Sequence, residues 1–113
     1  MAKVIINNNL EKAINKKFKG ESVEIFELIY SLEENPKKGK VVGQIGGVVI
    51  KELKYGKFRF YFVADGYKIK FLDITDLHDL LIRFVRMSDK KTQQKIIDEV
   101  KSILKKFGEE GFD

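Results

Sequence analysis

The sequence predicts an α+β domain: an N-terminal strand and a helical hairpin, then a twisted antiparallel sheet of three to four strands, with a C-terminal helix packed on that sheet. Three observations carry the prediction. Apolar residues recur at helical spacing in 10–32 and again in 96–107, they alternate at strand spacing in 57–72, and the turn signals Asn35-Pro36, Tyr55-Gly56 and Asp65-Gly66 separate these stretches. A length of 113 residues suits a single domain spanning 1–113, because one domain takes roughly 100–200 residues.

Lys3-Val4-Ile5-Ile6 is a short apolar run closed by Asn7, Asn8 and Asn9, so a strand leads into a helix start. Leu10, Ile14 and Phe18 recur every four residues on one helical stripe, which Gly20 interrupts. Ile25, Phe26, Ile29, Tyr30 and Leu32 mark a second amphipathic helix over about 21–34, with Tyr30 assigned to the core. Asn35-Pro36 ends it, because the residue before proline resists the α conformation. Lys37-Lys38-Gly39-Lys40 is a basic turn. Gly43, Gly46 and Gly47 lack the Gly-Lys-Ser/Thr ending and the following helix of a phosphate-cradling loop, so they read as a turn before a strand.

The strongest strand signal follows. Residues 48–54 are β-branched and apolar, Tyr55-Gly56 turns, and 57–64 alternates. Phe58, Phe60 and Phe62 fall on one face, and Lys57, Arg59, Tyr61 and Val63 on the other. Asp65-Gly66 has the composition of a two-residue hairpin turn, and 67–72 alternates again, with Lys68 and Lys70 on the polar face. The acidic stretch 73–79 reads as a loop or one short helix. In 80–87 the residues Ile82, Phe84 and Val85 favour a fourth strand over continuation of that helix. Ser88-Asp89 signals a helix start, Ile96, Ile97, Val100, Ile103, Leu104 and Phe107 follow a 3.6-residue period, and Gly108 stands where a cap belongs. The tail 109–113 is expected to fray. The Phe58, Phe60 and Phe62 face is expected to lie beneath the C-terminal helix, against Ile96, Val100, Ile103 and Phe107.

Composition narrows the chemistry. Hydrophobic residues make up 43% and charged residues 35% of the chain, as in globular proteins. The absence of Cys excludes disulfide scaffolds, thiolate zinc sites and cysteine nucleophiles, and the single His, His78, excludes a two-His metal site or a His–His catalytic pair. No cofactor and no metal is expected. No apolar run approaches the ~18–20 residues of a membrane helix, and 1–9 lacks the apolar core of a signal peptide, so a soluble cytoplasmic protein without membrane contact is expected. The net charge of +5 is unevenly placed: 37–59 sums to +6 and 83–106 to +5, while the other stretches are acidic. Clustered cations favour an anionic partner such as nucleic acid, although lysine-rich surfaces also serve solubility alone.

The element order resembles that of the RelE/ParE toxin superfamily, and three segments support the likeness. Leu32-Glu33-Glu34-Asn35-Pro36-Lys37-Lys38-Gly39-Lys40 resembles the family's exit from its second helix, a leucine, two charges, Asn-Pro and then glycine. Lys51-Glu52-Leu53-Lys54-Tyr55-Gly56-Lys57-Phe58-Arg59-Phe60-Tyr61 resembles its central hairpin. Phe84-Val85-Arg86-Met87-Ser88-Asp89-Lys90-Lys91-Thr92-Gln93 is similar to the phenylalanine-valine-lysine-lysine segment of the RelE/HigB-type branch, with Met87 in place of one paired lysine. The resemblance implies a toxin of a type II toxin–antitoxin system that cleaves mRNA, usually in the ribosomal A site, uses no metal and is neutralised by a cognate antitoxin. The family positions for phosphate binding or catalysis fall on Lys54, Arg59 and Arg86, with Lys90 and Lys91 nearby; many relatives carry arginine where Lys54 stands.

Metal-independent ribonucleases let the ribose 2′-oxygen attack the adjacent phosphorus. The protein must accept that proton, neutralise the transition state and protonate the leaving oxygen. Cations at strand ends suit the middle task. A lysine acting on protons needs its pKa lowered, and Lys54 beside Arg59 across the hairpin is placed for that. Lys57, Tyr61, Lys68, Lys70, Arg83, Lys90 and Lys91 are the candidate RNA contacts around them. Tyr61 and Tyr67 either stack on a base or cover a core edge. Arg83 and Arg86 either bind RNA or pair with Asp79 or Asp89. Two rival functions remain beside endoribonuclease: a non-enzymatic domain of the same fold that binds a protein target such as gyrase, and an RNA-binding domain without cleavage. An acidic antitoxin segment is expected on the cationic face or the helical flank beside it, with salt-sensitive binding.

Overall fold

A computed structural model describes residues 2–71 and 80–112. Strand β1 (Lys3–Ile6) leads into helices α1 (Asn8–Phe18) and α2 (Ser22–Tyr30). Strands β2 (Lys40–Ile45), β3 (Val48–Tyr55) and β4 (Phe58–Asp65) follow, then a short helix α3 (Gly66–Phe71), strand β5 (Leu81–Asp89) and helix α4 (Gln93–Phe107). The strands form one sheet in the order β1-β5-β4-β3-β2. Strands β2 to β5 pair antiparallel, and β1 runs parallel to β5. The α+β layout is the predicted one, with the sheet extended at both edges by β1 and β2. Sequence alternation does not reveal β2, because a bulge between Val41 and Gly43 breaks its period.

Local chemistry sets the helical layer. Asn7 caps α1, its side-chain oxygen accepting from the Asn9 and Leu10 amides at 2.9 and 3.4 Å. The stripe Leu10, Ile14, Ile25, Ile29 and Leu32 is buried against the sheet face that carries Leu53, Phe60, Phe62, Ala64, Ile82 and Phe84. Tyr30 is 44% exposed and lies outside this core, contrary to expectation. Gly39, at φ +105°, lets the chain pass close to the Phe62 ring as it enters β2; a Cβ there would stand 2.9 Å from that ring.

Helix α4 covers the opposite face, where Ile50, Val63 and Val85 pack with Val100, Leu104 and Phe112. The phenylalanine stripe therefore shares one face as expected, but the helical hairpin covers it, not α4, and Phe107 is 67% exposed. The physical reason lies in β3 and β4. Residues 49–53 and 60–64 are buried without a break, and a sheet buried on both faces needs a layer on each side.

Two further expectations are corrected. Residues 67–71 do not continue the meander, because the Asp65 carboxylate accepts from the Tyr67 and Lys68 amides at 2.9 and 3.3 Å and caps α3. The place beside β4 goes to β5. The tail is not frayed over Gly108–Phe112, which forms a 3₁₀ turn with Phe112 buried in the second core and its carbonyl accepting from the Asn7 side-chain amide. The expectations for 72–79, His78 included, lie outside the described residues.

A buried cation on the hairpin-covered face yields a stability prediction. Lys51 is 2% exposed; its Nζ donates to the Lys37 carbonyl at 2.9 Å and lies 5.9 Å from the Phe62 ring centroid. Burial lowers its pKa from 10.5. The unfolded chain then binds this proton more tightly, so the stability it contributes is present above 10.5 and is lost as pH falls through the folded-state value. Unfolding free energy is expected to rise with pH across that alkaline window, and Lys51→Met to remove this component. Urea titrations of both proteins across the window check it, and equal slopes would assign the pH dependence to other groups.

Candidate functional site

The β3–β4 hairpin builds the site. Its turn is Gly56-Lys57, with Gly56 at φ +58°, where glycine avoids the strain other residues meet. The turn sets Lys54 directly opposite Arg59. Cross-strand partners project from one face, so the two cations are neighbours. On the other side of β4, Ser88 stands opposite Arg59 and Arg86 opposite Tyr61. The chain then turns from β5 into α4. The Asp89 Oδ1 accepts from the amide and the hydroxyl of Thr92, both at 3.0 Å, and these bonds hold the Asp89 carboxyl below the usual carboxylate range. Asp89 is thus a persistent anion that braces the turn bearing Lys90 and Lys91.

These segments enclose a cavity of ≈ 480 Å³ lined by Gly56, Lys57, Arg59, Asp89, Lys90 and Lys91. The Arg59 Nη1 donates to the Phe58 carbonyl at 3.4 Å, near the limit of a hydrogen bond. Its Nε is buried and has no hydrogen-bond partner among the described residues. A buried donor left unsatisfied is costly, and a guanidinium is best matched by a carboxylate or phosphate. The wall carries four cations against Asp89, so it suits an anion with several oxygens.

The remaining candidates are placed elsewhere. The Arg86 Nε pairs with Glu99 Oε1 at 2.7 Å, its Nη1 donates to the Val85 carbonyl at 2.8 Å, and its Cζ lies 5.6 Å from the Phe112 ring centroid. Arg86 is therefore tied to α4 and the C-terminal turn, with Glu99 as its partner. Lys54 is exposed and lines a separate hollow with Leu28, Lys38, Gly39, Lys40 and Glu52. Tyr61 is 0% exposed and its hydroxyl shares a 2.7 Å hydrogen bond with the Ser88 hydroxyl. Burial pushes its pKa up, so it is a neutral core phenol with no face for a base. Lys68 and Lys70 lie on α3, which begins beyond the far end of β4 from Arg59, a run of about 20 Å at 3.3 Å per residue. Arg83 lines another hollow, of ≈ 560 Å³, with Lys12 and Asn7 to Asn9. That hollow is larger, but Asn7 already caps the first amides of α1 there.

Three participants escape a reading of the sequence. Asp89 reads only as a helix start, although the cap of α4 is Thr92. Glu52 is 2% exposed and accepts from Gln93 Nε2 at 2.6 Å, fastening the first turn of α4 to β3. It is the only acid in the basic stretch 37–59, a signal that was visible. Lys17 lies with its Nζ 4.9 Å from the Phe58 ring centroid, and nothing in its helical pattern marks it. No protein-family model, curated protein or solved structure matches the chain. Among the described residues, no helix is long and apolar enough to cross a membrane, and no group of three or more His, Cys, Asp or Glu residues could hold a metal ion.

Proposed function

We propose that the chain is a toxin-like endoribonuclease of the RelE/ParE kind, acting in the cytoplasm on mRNA presented by the ribosome, with a cognate antitoxin as its neutralising partner. The observation that carries this reading is the convergence of Lys57, Arg59, Lys90 and Lys91, from two segments far apart in sequence, on one cavity. There the ribose 2′-oxygen attacks the adjacent phosphorus and gives up its proton. The bond from phosphorus to the 5′-oxygen breaks, and that oxygen takes up a proton, leaving a 2′,3′-cyclic phosphate and a 5′-hydroxyl. Arg59 and the three lysines offset the charge that gathers on the phosphoryl oxygens. Lys54 stands opposite Arg59 but lines a separate hollow, so solvent water takes up the first proton and supplies the second.

A second reading, RNA binding without cleavage, is favoured by the Arg86–Glu99 pair, which withholds one of the three expected catalytic cations. Primer extension on a translated mRNA treated with the purified chain tests the proposal. New ends within the coding sequence are expected. An intact transcript with RNA binding retained selects the second reading. Inhibition of gyrase supercoiling, with neither cleavage nor RNA binding, would replace both with a protein target.

A further inference from the structure

We infer that the RNA path continues from the Arg59 cavity across the tip of the β3–β4 hairpin to Lys17 on the other side of the sheet, so that the ligand is a single strand engaged through consecutive phosphates. The inference rests on the RNA reading above and extends it to a residue outside that cavity. Phe58 joins the two sides. Its carbonyl accepts from Arg59 Nη1 at 3.4 Å, while its ring carries Lys17 Nζ at 4.9 Å from the centroid. One residue at the start of β4 thus anchors a cation on each side of the sheet.

The position of Lys17 is fixed by packing. The Phe58 ring meets that of Phe18, the next residue of α1, edge to face, with centroids 4.9 Å apart and an interplanar angle of 89°. Lys17 is exposed on this flank. Glu24, which with Glu21 places negative charge near the same aromatic cluster, is held by the Tyr55 hydroxyl, which donates to it at 2.8 Å and whose pKa is pushed up to about 12, first by that bond. Between the two flanks lies the Gly56-Lys57 turn. Lys57 is exposed, and nothing lies within 4 Å of where a Cβ on Gly56 would stand, so the tip is open. A double helix is too stiff to fold over a two-residue turn, whereas a single strand bends across it.

The test is equilibrium binding of a uridine trinucleotide and a uridine nonanucleotide over a salt series, with wild type, Lys17→Gln, Lys12→Gln and Arg59→Ala. Each phosphate contact on a single strand contributes about 0.7 to the slope of log affinity against log salt. Lys17→Gln is expected to reduce the nonanucleotide slope by that amount and to leave the trinucleotide slope unchanged. Lys12→Gln, nearer the start of α1, is expected to change neither. A wild-type nonanucleotide slope in Lys17→Gln overturns the path, and so does an equal loss in Lys12→Gln, which would reduce the effect to net charge. Loss of both ligands in Arg59→Ala with unchanged slopes in Lys17→Gln leaves the RNA reading intact and removes only this extension. Failure of the wild type to bind either oligonucleotide ends the RNA reading itself.

Discussion

Arg59→Ala is expected to slow RNA cleavage by about 10²–10³-fold, the effect of removing one preorganised donor from a transition state, while the melting temperature stays nearly constant. The native fold gains little from this guanidinium. Its Nε has no partner among the described residues, and its bond to the Phe58 carbonyl is long at 3.4 Å. Relief of the buried, unpaired donor offsets the packing lost with the side-chain stem, so the net change in stability is small. Arg86→Ala is the contrasting variant. It breaks a 2.7 Å pair with Glu99, a 2.8 Å bond to the Val85 carbonyl and the contact with the Phe112 ring. Its expected signature is a lowered melting temperature, with cleavage by the molecules that remain folded close to normal. Single-turnover cleavage and thermal unfolding on the same preparations separate the two. The reversed pattern, with Arg86→Ala folded but inactive and Arg59→Ala active, would return the chemistry to Arg86 and remove it from the cavity.

The contrast between these arginines marks where a sequence stops being informative. Alternation sets Arg59 opposite the phenylalanine stripe but would set Arg86 on the side of Ile82 and Phe84; the register shift beside Tyr61 turns Arg86 to the face of Arg59, and only tertiary structure decides that Glu99 of α4 reaches it. Local signals fared better. Asn7 as a cap, Gly56 in a turn and Gly108 at a helix end all act through their own backbone, so no distant partner is needed to read them. Asp65-Gly66 misled because the same dipeptide serves a hairpin turn or a helix start; the amides of Tyr67 and Lys68 settle the choice. Strand β2 stayed hidden for another reason. Gly43 sits at its bulge, and a glycine beside an extra residue erases the alternation that marks a strand. Of the site, the cations were legible as types, and their grouping was not, since it depends on the β5–α4 turn lying beside the β3–β4 turn.

Phe60→Ala is expected to cause the largest loss of stability of any substitution considered, about 3–5 kcal/mol for a fully buried phenylalanine. At roughly 4 °C per kcal/mol for a domain of this size, the melting temperature falls by about 12–20 °C. The side chain is 0% exposed, and its ring centroid lies 6.2 Å from that of Phe18 at the end of α1. Which helix layer it belongs to can be read from coupling. Phe60→Ala combined with Phe18→Ala is expected to depart from additivity by about 0.5–3 kcal/mol, because the two vacancies merge and each single variant already disturbs the other's site. Combined with Val100→Ala, on α4 across the sheet, it is expected to add within about 0.3–0.5 kcal/mol. Strong coupling to Val100 with none to Phe18 would place the phenylalanine stripe under α4. That outcome would shift β4 by one residue, exchange the faces of Arg59 and Phe60, and bury the guanidinium on which the cavity depends.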